Sequence, residues 1–230
     1  MNKLTKLAAA ALTLFAAVSV WGEYVFEGEW GGMGPAPGRF RDPWQIALAP
    51  NGNVYVVDAC NCRVQYFTAN GSWLGMWGSS GSGPGQFDLP TGVAVAPNGN
   101  VYVTDLFNFR VQYFTPNGSF LGSWGSTGTG NGQFDQVFGV GLRPGADDVY
   151  VADPLDSRLE YFTPTGSFLG TIGRYGWRNG EFVYPNYSAF SPDGDRLYVG
   201  DSSNYRIQYF RWSDPAVKST SLGKVKAMYR

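Results

Sequence analysis

Phe87-Asp88-Leu89-Pro90-Thr91-Gly92-Val93-Ala94-Val95-Ala96-Pro97-Asn98-Gly99-Asn100-Val101-Tyr102-Val103-Thr104-Asp105 is the stretch that decides the fold. Two short apolar runs, residues 92–96 and 101–105, flank a Pro-Asn-Gly-Asn turn. Asn-Gly between two apolar runs is the strongest short hairpin signal, because a tight primed turn needs positive φ at both central residues. The chain continues into Arg110-Val111-Gln112-Tyr113-Phe114, a second turn at Thr115-Pro116-Asn117-Gly118, and a last run from Ser119 to Trp124. These runs read as four antiparallel strands, A to D. No stretch of this region holds a helical period, so the expected class is all-β.

The same plan recurs at residues 40–67, 134–162 and 182–210, the last two with one extra residue in the first turn. Aspartates close strand B at Asp58, Asp105, Asp153 and Asp201, at spacings of 47, 48 and 48. Arginines open strand C in step, at Arg63, Arg110, Arg158 and Arg206. A period of this length built from strands alone indicates propeller blades. The expectation is a β-propeller of four four-stranded blades over residues 23–212.

Residues 24–31, Tyr-Val-Phe-Glu-Gly-Glu-Trp-Gly, place Trp30 ten positions before Phe40, just as Trp77 precedes Phe87 and Trp124 precedes Phe134. They form an extra strand D, whereas the fourth copy stops after its strand C at Phe210. Pairing the two would close the ring and remove two exposed sheet edges. Closure by the N-terminal strand is the expected arrangement, and an open arc, with self-association through its edges, is the alternative.

The pattern G-x-F-x-x-P-x-G-V-A-V-x-x-x-G-N-V-Y-V-x-D-x-x-N-x-R-V-Q-Y-F resembles the NHL repeat, and the second copy fits it best. Copies three and four depart from it: Asp156 replaces the loop asparagine, Glu160 replaces the strand C glutamine, and Tyr187 stands where Gly92 does. The resemblance implies a propeller and says little about activity. Members are more often six-bladed, some bind RNA, and the amidating lyases among them use a histidine-held zinc.

This chain has no histidine at all, which excludes that zinc site and the serine–histidine and cysteine–histidine nucleophiles. Residues 23–212 hold 17 acids against 11 bases, and an acidic ring lacks the basic footprint nucleic acid requires. Met1 to Lys6 carry two lysines and an uncharged run follows from Leu7 to Val20, which reads as a secretory signal over residues 1–22. The mature chain is therefore expected to be exported, secreted or held in the periplasm or cell envelope, with no membrane span after cleavage. Residues 213–230 form a basic tail that fits no repeat and is read as a frayed terminus. Cys60 and Cys62 are the only cysteines, and a local or absent disulfide is expected of them.

Features repeated in every copy are scaffold, since one site needs one copy. That assigns Asp58, Arg63, Asp105, Arg110, Asp153, Arg158, Asp201 and Arg206 to structure. Function then belongs where the copies differ. Alternating strands put the B–C loops and the D-to-A crossings on one face, and this is the variable one. The glycine-rich crossings there, such as residues 78–86, read as mobile. Candidate ligand-binding residues on that face are Trp44, Gln45, Thr91, Phe138, Asn186 and Tyr187 at the channel mouth, with Phe107, Phe109, Trp177 and Tyr205 in the loops. Aromatic faces beside amides and carboxylates suit a sugar or a peptide, and the plain alternative is that these rings plug the channel. Asp42, Asp88 and Asp135 stand just upstream and are candidates to hold a divalent cation such as calcium, with turn capping as the alternative. No cofactor is otherwise expected. The expected function is a non-catalytic scaffold for a protein or carbohydrate partner. The alternatives are a carboxylate-based, metal-assisted hydrolase or lyase, and a structural piece of the cell envelope.

Overall fold

The computed structural model describes residues 25–213; the signal-like residues 1–22 and the tail from residue 214 lie outside it. Fifteen strands form four antiparallel sheets, each a meander in chain order. The first contains β1 (Pro43–Leu48), β2 (Val54–Asp58), β3 (Arg63–Phe67) and β4 (Trp73–Trp77). The second contains β5 (Pro90–Val95), β6 (Val101–Asp105), β7 (Arg110–Phe114) and β8 (Phe120–Trp124). The third contains β9 (Val140–Leu142), β10 (Val149–Asp153), β11 (Arg158–Phe162) and β12 (Phe168–Ile172). The fourth contains β13 (Pro185–Phe190), β14 (Arg196–Asp201) and β15 (Arg206–Arg211). These are the four blades of an all-β propeller.

Strand B of the first three blades is buried along its whole length; blades two and three have a neighbour on each face, and in blade one Val54 and Val56 are buried with Phe40 and Phe67. Val-Tyr-Val runs supply this. In blade two, Val101 and Val103 face Tyr55 and Val57 of blade one, while Tyr102 faces Val149 and Val151 of blade three. The hydroxyl of Tyr55 donates to the Pro116 carbonyl at 2.9 Å, and that of Tyr102 to the Pro164 carbonyl at 3.0 Å, so blades one and two are each also bonded to the second hairpin turn of the next. Phe87, Phe134 and Phe182, one at the foot of each crossing, are fully buried. Loss of any of these rings would cost about 3–5 kcal/mol.

Strand D carries a glycine for a steric reason. Gly75, Gly122 and Gly170 pair with Tyr66, Tyr113 and Tyr161, whose rings lie across them. A Cβ on any of these glycines would come within 2.7 Å of the tyrosine. The tyrosine is in turn stacked on the strand B tyrosine, with Tyr55–Tyr66 at 5.4 Å and Tyr150–Tyr161 at 5.0 Å.

Closure by the N-terminal strand is not found. Among the described residues the fourth blade has three strands, and residues 25–31 form no strand and pair with none. Inner strand β1 packs on β5, β5 on β9 and β9 on β13, and among the described residues no comparable contact joins the fourth blade to the first. Among the described residues the blades therefore form an open series rather than a ring closed by residues 25–31.

Candidate functional site

The repeated Asp-Arg pairs build the face from below. Asp58 accepts from Arg63 Nε at 2.6 Å, from Asn61 and from the backbone N–H of Arg41. Arg63 spends its remaining donors on the carbonyls of Pro35, Ala36 and Arg39, all in the preceding crossing. Gln65 adds a bond to Arg39, and its own oxygen accepts from Gly38. Asp105 with Arg110 (2.9 Å) and Asp201 with Arg206 (2.7 Å) repeat the arrangement. Each crossing is also pinched at its neck, as where Phe87 donates to Ser79 and Gly81 donates back to Phe87. The crossings expected to be mobile are thus tied down. Their glycines, Gly78, Gly81 and Gly85 at positive φ, let carbonyls converge on one guanidinium rather than leave the loop loose.

Blade three breaks the pattern. The Arg158 Nε to Asp153 distance opens to 3.6 Å, and Arg158 is shared with Asp156 and Glu160. Glu160 is fully buried; its Oε1 accepts from Gly132 as Gln65 accepts from Gly38, and its Oε2 has no partner. Burial pushes Glu160 up to about 7 against the pull of Arg158, and burial also raises Asp153.

The inner strands bring the channel-mouth aromatics together. Trp44 and Phe138 lie 5.5 Å apart between ring centroids, and Phe138 meets Tyr184 at 6.4 Å and Tyr187 at 6.3 Å. Tyr184 was not singled out in the sequence, although it stands at positive φ where the other copies have Asp42 and Leu89. Thr91 and Gln45 serve the scaffold here. Thr91 is buried, bonded to Thr104 and the carbonyls of Val137 and Phe138, and Gln45 bridges the Val140 carbonyl and the Val93 N–H. The Asn186 carbonyl accepts from Gly139, while its side-chain oxygen is buried without a partner.

Around this mouth stand exposed rings. Phe107 and Tyr205 project from the B–C loops, and Trp177 with Tyr175 forms an edge-on pair 5.3 Å apart at the last crossing. Phe109 is half-buried. Tyr205 is 96% exposed and holds a left-handed backbone (φ 55°), as do Cys62, Phe109 and Ser157 at the equivalent places. Asp42, Asp88 and Asp135 are each exposed. Among the described residues no group of three or more cysteine or carboxylate side chains converges as a metal site would. Cys60 and Cys62 are free thiols. No helix among the described residues is long and apolar enough to cross a membrane.

A propeller whose blades are stapled in this way defines a class of repeat scaffold. The NHL repeat family matches the chain at residues 40–67 and 87–114, and the chain is an NHL-repeat β-propeller. Among solved structures, Kuenenia stuttgartiensis hydrazine synthase superposes with a TM-score of 0.54 at 16% identity, covering 78% of this chain and 44% of that one. A streptogramin B lyase gives 0.53 at 12% identity, covering 76% and 56%. The chain thus spans about half the length of these structures, and at such identities the likeness is one of fold. No curated protein matches the sequence.

Proposed function

We propose that this chain is an exported, non-catalytic binding scaffold that takes a protein or glycan partner on the face formed by its B–C loops and D-to-A crossings. The observation that carries the reading is Tyr205, an aromatic side chain almost wholly in water on a left-handed backbone that an L-residue occupies at a cost. Phe107, Tyr175 and Trp177 share its face, and the stapled crossings hold their backbone in place. Rigid aromatics lose little entropy on binding, and their flat faces suit sugar rings and peptide planes equally. The carboxylate-based alternative would need Asp42, Asp88 and Asp135 to act as a group, and they stand apart.

The test immobilises the chain and a Phe107→Ala/Trp177→Ala/Tyr205→Ala variant, then compares what each retains from cell-envelope protein and from soluble polysaccharide. One fraction should bind the parent at least tenfold more tightly than the variant, and that fraction names the partner class. Equal retention by the two chains would sink the proposal.

A further inference from the structure

Every interface between blades is made from the same two half-faces; among the described residues no blade covers the outward half-face of blade four, and on blade one the inner-strand part of the opposite half-face is exposed while Val54, Val56 and Phe67 behind it are buried with Phe40. The half-face turned to the next blade carries Tyr102, Val111 and Tyr113 in blade two. By strand register its counterparts in blade four are Tyr198, Ile207 and Tyr209. Val111 is fully buried, but Ile207 and Tyr209 are 67% and 69% exposed. The opposite half-face carries Val93 in blade two and Ile46 in blade one, where it is exposed. The missing parts also match. Among the described residues strand β15 has no fourth strand beside it, and residues 25–31 follow the strand D pattern without joining a sheet.

Two details show that residues 25–31 are already placed as the outer strand of a preceding blade. Trp30 packs on Phe67 at 6.0 Å, as Trp77 does on Phe114 at 5.6 Å and Trp124 on Phe162 at 5.5 Å. Each of these tryptophans covers the glycine of a hairpin turn, Gly71, Gly118 or Gly166. Gly28 stands two residues before Trp30, as Gly75 and Gly122 stand before Trp77 and Trp124. Yet a Cβ on Gly28 would meet nothing within 4 Å, whereas one on Gly75 or Gly122 would run into a tyrosine. Tyr209 is the strand C tyrosine that, among the described residues, has no strand D glycine beneath it.

We infer that two copies of this chain close one eight-bladed ring, residues 25–31 of each adding to β15 of the other. Gly28 then lies beneath Tyr209 of the second copy, and the hydroxyl of Tyr198 reaches the Ala69 carbonyl as Tyr55 and Tyr102 reach Pro116 and Pro164. Strand addition gives both orphan edges their hydrogen bonds, and a two-fold axis lets both joints close at once. Eight blades fall within the range propellers adopt. Leu222-Gly223-Lys224-Val225 repeats the leucine–glycine order of Leu74-Gly75 and is the in-chain competitor for β15, but it has no tryptophan to cover Gly71.

The purified full chain, its N-terminus read by mass spectrometry, should show twice the mass of one chain by light scattering, and so should a form ending at residue 213. Gly28→Val adds a side chain where the isolated arc has open space and the ring has Tyr209. It should leave the thermal midpoint of the dissociated chain unchanged and weaken self-association at least tenfold. In a Cys60→Ser/Cys62→Ser background, mixing single variants Gly28→Cys and Tyr209→Cys should give a crosslinked pair of chains. A full chain that stays monomeric, a dimer indifferent to Gly28→Val, or a Gly28→Cys/Tyr209→Cys double variant that crosslinks within one chain would each overturn the inference.

Discussion

Arg158 lies 3.4 Å from Glu160 Oε1, at the position where the other three blades set a glutamine beside the arginine. In those blades the glutamine amide donates to both the crossing carbonyl and the aspartate, as Gln112 does to Gln86 and Asp105. A carboxylate cannot donate, so an ionised Glu160 turns an acceptor toward Asp153 and the crossing. A neutral Glu160 supplies the missing proton.

The sign of the pH dependence follows. Glu160 titrates near 7 in the fold against an ordinary 4.5, so its contribution to stability is fully present below 4.5 and is lost as the pH rises through about 7. The burial-raised Asp153 acts in the same direction. Glu160→Gln should therefore stabilise the chain by roughly 1–3 kcal/mol at pH 8 and by little at pH 4.5. Denaturant melts of both chains at the two pH values check this, and a gain of equal size at both would contradict it.

Asp105 is the centre of an intact staple, and its loss should be among the most damaging single changes. It is fully buried and accepts from Arg110, Asn108, Gln112 and the Asp88 N–H. Asp105→Ala strands a guanidinium with three carbonyls and no counter-charge, at a cost of about 3–5 kcal/mol. Asp201→Ala should cost less, because Arg206 is about twice as exposed as Arg110, 28% against 14%, and water can replace part of the lost pairing. Equal losses in urea titrations would mean that the hydrogen bonds to backbone, rather than the ion pair, dominate.

The same rules separate what the chain announces from what it conceals. Asn-Gly turns and Val-Tyr-Val runs encode local hairpins, so residues such as Asn98-Gly99 and Val101-Tyr102-Val103 disclosed the blades and their strand order. Whether the blades close depends on the angle between packed faces. That angle comes from side chains such as Tyr102 and Val149 meeting across 47 residues of chain, and no local pattern records it. The site divides in the same way. The chain shows that Tyr205 and Trp177 lie in loops, because loops are set by neighbouring residues. It does not show that Thr91 is buried against Phe138, because that contact belongs to the next blade. The crossings misled for one further reason: many glycines usually mean freedom, but here they let carbonyls gather around Arg63 and Arg110.

Gly122→Ala tests the steric rule of strand D. Its Cβ would lie 2.6 Å from the Tyr113 ring, which is itself stacked on Tyr102 at 5.8 Å and cannot swing away without disturbing the Tyr102 bond to Pro164. Overpacking of this kind costs about 1–3 kcal/mol. Gly28→Ala, where the described chain has open space, should leave the unfolding free energy of the dissociated chain unchanged. The two variants measured side by side by denaturant titration distinguish a packing effect from the general helix- or strand-propensity difference between glycine and alanine, since that difference would favour alanine at both sites.

Tyr205 offers a way to part stability from binding. Its side chain is 96% exposed, so its removal takes away almost no packing, while its backbone at φ 55° sits in the region glycine prefers. Tyr205→Gly relieves a left-handed strain of roughly 1 kcal/mol but frees the unfolded chain by a similar amount, so stability should change by less than about 1 kcal/mol. Binding should behave differently. If the ring is held in water for a partner, Tyr205→Gly lowers affinity while the thermal midpoint moves by no more than about 4 °C. A rescue variant, Tyr205→Trp, should restore affinity, because a larger flat ring on the same backbone offers the same contact. A loss of affinity that Tyr205→Trp fails to recover would assign the effect to the loop conformation instead of the aromatic face.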